Sequence, residues 1–171
     1  MISASRLNRT IRLRYNGGAM NAESLLSSMM RTTPRCTQAL TYAKESLARF
    51  GHSHMTSAHL ILGLLMLRSG IPFNVLQGFG LSIESVESYL SLLRLCTRES
   101  TVHDGVPVGE SVRTALARGE AEAQARQHTY LGTDHLFLGI LAEENGEAAD
   151  LFTSVHVDRD KLRSIVSQEL A

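Results

Sequence analysis

Lysine is nearly missing from this chain: of 17 cationic side chains, only Lys44 and Lys161 are not arginine, which reads as genome composition and not as function. Tryptophan is absent, aromatics make up 5% of residues, and there are 3 prolines. Strands draw on β-branched and aromatic side chains, so this scarcity, set against abundant Leu, Ala, Ser, Glu and Arg, favours helix. Cysteine is equally sparse. Cys36 and Cys96 lie far apart without a C-x-x-C partner, which indicates neither a zinc site nor a secreted disulfide framework and suits a reducing cytosol. Long hydrophobic runs are missing too. The longest, Leu60 to Leu67, is interrupted by Gly63 and too short to span a bilayer, and no signal-peptide core precedes it. The expectation is a soluble cytoplasmic protein, bacterial in character, with no membrane partner.

Formal charge is zero over 171 residues, but Arg6, Arg9, Arg12 and Arg14 crowd an acid-free start. Without them 13 cations face 17 acids, a net −4, so the folded part carries no basic footprint for nucleic acid. Residues 1–19 lack helical periodicity and read as a disordered arm, a transit peptide that would imply organellar import, or an over-extended start before Met20. Residues 20–171 read as one domain.

There the helix punctuation is dense. Thr33 caps a helix that opens on Pro34, carries Leu40, Ala43 and Leu47 on one face, and closes at Gly51. A helix capped by Ser57 is expected to about Arg68, a short one from Gly70-Ile71-Pro72 to about Gly78, and one from Ser82 through Leu95. A polar link with Gly105 and Pro107 follows. The order then recurs: a helix from about Gly109 to Gln127, one capped by Thr133 to about Glu143, a short one near Ala148 to Thr153, and a last one capped by Asp158.

The recurrence is in register at an offset of 76 residues, the distance from His59 to His135. His52 then falls on His128, Gly63 on Gly139, and His59-Leu60-Ile61-Leu62-Gly63-Leu64-Leu65 on His135-Leu136-Phe137-Leu138-Gly139-Ile140-Leu141. That is an internal duplication, about 32–95 and 108–171. Each half offers about four helices with one apolar face apiece, too little core alone, so the halves should pack about a pseudo-twofold axis.

The second copy reads Gln127-His128-Thr129-Tyr130-Leu131-Gly132-Thr133-Asp134-His135-Leu136-Phe137-Leu138-Gly139-Ile140-Leu141, and the first is a weaker version from Gly51 to Leu65. This doubled motif resembles the Clp N-terminal repeat, whose paired copies form the N-domain of Clp-family AAA+ unfoldases, and the likeness covers about residues 32 to 168. It implies an all-α bundle of about eight helices that binds protein partners, adaptors or substrate segments, for a Clp ATPase or protease. No G-x-x-x-x-G-K-[ST] phosphate loop occurs in the sequence, so no nucleotide hydrolysis of that kind, no cofactor and no enzymatic activity are expected. Such a domain would serve as adaptor, accessory subunit or competitor for adaptors. Alternatives are a small helical metal-dependent hydrolase using the loop histidines and a regulatory domain with a non-Clp partner.

Histidines 52, 54 and 59, with 128 and 135 in the duplicate, invite a metal reading, but Tyr130 stands where the first copy has His54. We therefore expect His52, His59, His128 and His135 to bond loop backbone and pack the next helix. Mid-helix Gly63 and Gly139 point to close helix crossings. Glu143-Glu144 beside Asn145-Gly146 reads as a solvated turn. No G-x-S-x-G elbow supports nucleophilic catalysis.

The resemblance also implies a ligand site, because in some family members the motif's acid, with a hydroxyl residue opening the long helix, holds a phosphorylated arginine side chain. Here the pieces are split between copies. Thr33 is present in the first, but Ala58 replaces its acid. Thr133-Asp134 is present in the second, but Gly109 replaces the hydroxyl. Partner binding is thus expected at Thr33, Thr133 and Asp134, and Ala58→Glu is expected to complete a site beside Thr33.

Overall fold

The computed structural model describes residues 31–93 and 107–171; the readings of residues 1–19, of Cys96 and of most of the polar link lie outside them. Among the described residues there are eight helices: α1 (Pro34–Phe50), α2 (Ser57–Met66), α3 (Ile71–Gly78), α4 (Ile83–Leu92), α5 (Glu110–Ala125), α6 (Thr133–Leu141), α7 (Glu147–Ser154) and α8 (Arg159–Glu169). The all-α bundle is the fold, with one small addition, a parallel pair of two-residue strands, β1 (Arg31–Thr32) and β2 (Tyr130–Leu131).

Local chemistry sets the boundaries. The Thr33 side chain accepts from the Cys36 backbone N–H at 3.2 Å, Ser82 from Ser85 at 3.2 Å, and Asp158 from Asp160 at 3.0 Å and Lys161 at 3.2 Å. Gly51 closes α1 in the left-handed region at φ 65, and Gln127 takes the equivalent place after α5 at φ 59. Two expected caps move by one residue. Thr56 and Gly132, not Ser57 and Thr133, precede α2 and α6, because the side chain that answers the cap is the histidine three residues on. Helix α4 stops at Leu92, short of Leu95.

Helices α2 and α6, apolar on every side, form the centre: Leu60, Ile61, Leu62 and Leu64 in one, Leu136, Phe137, Leu138 and Ile140 in the other, all within 1% exposure. No single helix among the described residues is long and apolar enough to cross a membrane. Each central helix crosses its own long helix at the duplicated glycine. A Cβ on Gly63 would fall onto the Ala39 carbonyl and lie 3.2 Å from the Ala43 nitrogen. One on Gly139 would fall onto the Ala115 carbonyl and lie 2.6 Å from the Gly119 nitrogen. Backbone thus packs on backbone at both crossings, and any side chain there must displace a helix.

The copies exchange contacts in matched pairs. Helix α1 packs on α6 as α5 packs on α2, and α3 packs on α6 as α7 packs on α2. Strand pairing obeys the same exchange: Thr32 pairs with Leu131, and at the 76-residue offset Val108 pairs with Met55. Each copy's first helix is therefore tied to the other copy's loop, which is the pseudo-twofold arrangement, with one core running through both halves.

Candidate functional site at the crossing of the copies

The exchange rearranges the candidate ligand residues. The Thr33 backbone N–H donates to the Leu131 carbonyl at 3.0 Å, so the start of α1 sits against the loop that ends at Asp134. Asp134 is close enough to Arg35 for that guanidinium to pull its carboxyl down, and its own charge helps push up the Cys36 thiol. Residues Thr33, Arg35 and Asp134, split between the copies in sequence, thus belong to one place in space. Desolvation dominates there and holds the Asp134 carboxyl above its ordinary range, with the Thr133 hydroxyl, at 3.5 Å, acting the other way. Burial dominates at Cys36 as well, where the thiol is pushed up to about 12 and is inert as a nucleophile.

The pseudo-equivalent place is built differently. Gly109, Ser111, Met55 and Ala58 stand there at the positions of Thr33, Arg35, Leu131 and Asp134, so Ala58 lies across from Gly109 and not beside Thr33. This corrects the expectation for Ala58→Glu. Ser111 Oγ accepts from the Ser57 backbone N–H at 3.1 Å where the first place has Arg35, and the His54 ring covers Gly109, whose Cβ would come within 2.9 Å of it. Ala58 itself is fully buried. One place carries Asp134 and Arg35; its twin has Ala58 and Ser111 at the equivalent positions.

The four motif histidines form two hydrogen-bonded pairs. His52 Nδ1 lies 2.9 Å from His59 Nε2, and His128 Nδ1 lies 2.8 Å from His135 Nε2. Behind each pair, His59 Nδ1 accepts from the Thr56 N–H at 3.0 Å and His135 Nδ1 from the Gly132 N–H at 3.1 Å. Backbone N–H can only donate, so both buried rings carry their hydrogen on Nε2 and give it to the outer ring. Desolvation lowers His59 to about 3 and lowers His52 and His135 as well. Among the described residues no three His, Cys, Asp or Glu side chains converge as metal ligands would.

Sequence reading missed Glu143. It is 4% exposed, not in a solvated turn, and its Oε2 has no hydrogen-bond partner. Guanidinium groups of Arg118 and Arg159 reach the carbonyls of Ala142 and Glu143 and hold the helix end, and their charges, with the Ser57 hydroxyl, pull the carboxyl down without offsetting its burial. That burial, more than the neighbouring Glu147 charge, raises the Glu143 carboxyl. Neighbouring Glu144 is exposed, as expected of a turn. The missed signal is Gly146: a Cβ there would strike the Glu143 carboxylate, so the small residue marks where the acid folds back.

Comparison with known proteins gives a consistent picture. The profile of the Clp repeat (R) N-terminal domain matches residues 31–155 and 107–171. A probable ATP-dependent Clp protease ATP-binding subunit of Chlamydia pneumoniae is 29% identical over 138 residues, 81% of this chain and 16% of that protein. The negative regulator of genetic competence ClpC/MecB of Bacillus subtilis is 29% identical over 140 residues, 82% of this chain and 17% of its own length. The chain thus spans about a sixth of the length of these relatives. Among solved structures, the N-terminal domain of the chaperone ClpD of Arabidopsis thaliana superposes with a TM-score of 0.67 at 16% identity, covering 82% of this chain and 94% of that one. A ClpV N-domain in complex with a VipB peptide gives 0.55 at 16% identity, covering 86% and 90%. These likenesses show the fold.

Proposed function

Because the chain belongs to the Clp repeat (R) N-terminal domain family, we propose that it is a protein-interaction module that captures partner or substrate segments for a Clp-type unfolding or proteolysis machine. The observation that carries the reading is the convergence of Thr33, Arg35 and Asp134 at the start of α1. This place offers a carboxylate, a hydroxyl and a helix N-terminus, with the Arg35 guanidinium, which donates to the Ser69 carbonyl at 2.8 Å, near enough for its charge to act on the carboxyl. A bipolar side chain with a cationic and an anionic end matches it: the cation meets Asp134 and the anion meets Arg35 and the α1 amides. A phosphorylated arginine has that shape, as the family resemblance implies. The twin place has Ala58 where this one has Asp134 and Ser111 where it has Arg35.

Titration calorimetry with phosphoarginine and with an arginine-phosphorylated protein tests this on the wild type and on Asp134→Ala. Losing the charged hydrogen bond should weaken binding by about 1.5 to 3 kcal/mol. Unchanged affinity in Asp134→Ala would remove the pocket from the mechanism.

A further inference from the structure

Gly146 is held as glycine by its place, since a Cβ on it would strike the Glu143 carboxylate. It follows Asn145, and with no side chain of its own it leaves its backbone nitrogen unscreened. Helix α7 uses the Gly146 carbonyl, which accepts from the Asp150 N–H at 3.0 Å. Among the described residues the Gly146 N–H meets no acceptor and the Asn145 amide no partner, and Asn145 is exposed in a bend outside any helix. A side-chain amide free to swing thus sits next to a backbone nitrogen free to attack it.

Asn74, the other described asparagine, is exposed too but differently placed. It lies inside α3 and precedes the β-branched Val75, whose N–H is tied into the helix ladder. At the 76-residue offset the first copy has Ser69-Gly70, with no amide to lose, so among the described residues the arrangement belongs to the second copy.

We propose that Asn145–Gly146 is a self-modifying site, where the side-chain amide is lost and the backbone rerouted, and that the rerouted product unseats α7 from α2. The Gly146 nitrogen gives its proton to hydroxide and attacks Asn145 Cγ. The new N–Cγ bond forms, the Cγ–Nδ2 bond breaks, and Nδ2 leaves as ammonia with a proton from water. Water then opens the five-membered imide at one of its two carbonyls. Cleavage of the N–Cγ bond gives aspartate; cleavage of the bond from the nitrogen to the Asn145 main-chain carbonyl carbon gives isoaspartate, with the chain running through Cγ. No electrons are gained or lost. Either product sets a carboxylate between Glu144 and Glu147, and isoaspartate also adds a methylene to the main chain. That addition shifts Gly146, which has no room over the Glu143 carboxylate. It also falls just before Ala148, whose N–H donates to Ser57 Oγ at 2.9 Å and so seats α7 of one copy on α2 of the other.

Ageing the full chain in mildly alkaline buffer, then mapping tryptic peptides and labelling them with an isoaspartyl methyltransferase, reads the reaction. Peptide 127–159, in which Asn145 is the one asparagine, should gain one mass unit and a methyl label. Peptide 69–94, which holds Asn74, should convert about tenfold more slowly or less, because its helix must open first. Asn16-Gly17, outside the described residues, falls in a separate peptide, 15–31. Amide hydrogen exchange on the aged protein should show protection at Ala148 lost in step with the label. Asn145→Gln should stay unlabelled and protected through the same ageing. Freshly prepared Asn145→Asp, which carries the charge without the added methylene, should also stay protected. No label on peptide 127–159, equal conversion at Asn74, or a labelled protein whose Ala148 amide stays as protected as in Asn145→Asp would each overturn the proposal.

Discussion

Thr33 and Leu131, 98 residues apart by their numbering, are joined by a backbone hydrogen bond of 3.0 Å that ties the first helix of one copy to the loop of the other. Its counterpart at the duplicated offset is the 2.7 Å bond from the Gly109 N–H to the Met55 carbonyl. Because each copy lends its helix start to the other's loop, each of the two crossing places combines residues from both halves. A substitution in one copy is therefore read at the other copy's loop. This is why the acid and the hydroxyl, split between the copies in sequence, bring Thr33 to the Asp134 loop and leave Gly109 with Ala58.

The glycine crossings give the clearest stability prediction. Alanine favours helix over glycine by about 1 kcal/mol, so Gly139→Ala would stabilise a helix with open space beside it. Here the added methyl falls on the Ala115 carbonyl and 2.6 Å from the Gly119 nitrogen, both rigid backbone. Over-packing should win, for a net loss of about 1 to 3 kcal/mol in chemical denaturation, and Gly63→Ala should cost a similar amount. A more stable Gly139→Ala protein would mean that the helices do not touch there.

Much of this architecture was legible in the chain, because helix caps and duplicated residues are local or periodic signals. Thr33, Ser82 and Asp158 cap as their types suggest. The histidines are a case of partial legibility: the spacing of His52 to His59 announced a repeated structural feature, but only the fold shows that the rings bond each other. Glu143 was illegible, since the sequence shows two acids before Asn145-Gly146 and nothing in that string says that one of them turns inward. Its burial is a tertiary effect, set by α8 and α5 closing over the end of α6. The exchange of strands was also hidden, because two-residue pairings carry no period.

In the first copy, His59 is held neutral by burial and lowered to about 3, well below its unfolded value of 6.5. The unfolded chain therefore binds more protons than the native one in that window. The stability from this ring is present above pH 6.5 and is lost as pH falls from 6.5 toward 3. His59→Gln keeps an acceptor for the Thr56 N–H, in the manner of a Thr-x-x-Gln capping box, but cannot titrate. Its thermal midpoint should fall less steeply with acid than that of the wild type, although packing lost with the ring costs about 1 kcal/mol or more at neutral pH. Parallel acid limbs for the two proteins would exclude His59 as a source of acid lability.

Glu143 carries the opposite sign. Its carboxyl is raised from 4.5, so the folded protein holds the proton more tightly than the unfolded chain does. The stability it contributes is full below pH 4.5 and is lost as pH rises through the folded value. Glu143→Gln mimics the protonated side chain and should be more stable than wild type at neutral pH by about 1 kcal/mol, the low end for a buried carboxylate with one oxygen, Oε2, unpaired. The advantage should vanish in acid. Melting curves across pH check this, and a less stable Gln variant at neutral pH would show that the charge is needed.

The last prediction concerns the empty place. If an acid alone made a site, Ala58→Glu would add one; the structure argues otherwise. Ala58 is fully buried, its surroundings offer Ser111 where Asp134 has Arg35, and the His54 ring already covers Gly109. A glutamate there is a buried charge without a cationic partner, which destabilises by several kcal/mol unless the acid takes up a proton. Ala58→Glu should therefore lower the thermal midpoint markedly at neutral pH, less so in acid, and bind phosphoarginine no better than the wild type. Adding Ser111→Arg, which puts a guanidinium at the position equivalent to Arg35, should recover part of the lost stability, and the non-additivity of the two changes measures the new pair. A gain in stoichiometry from Ala58→Glu by itself would show that the twin place is open to ligands despite His54, and that the domain is limited to one site by its missing acid alone.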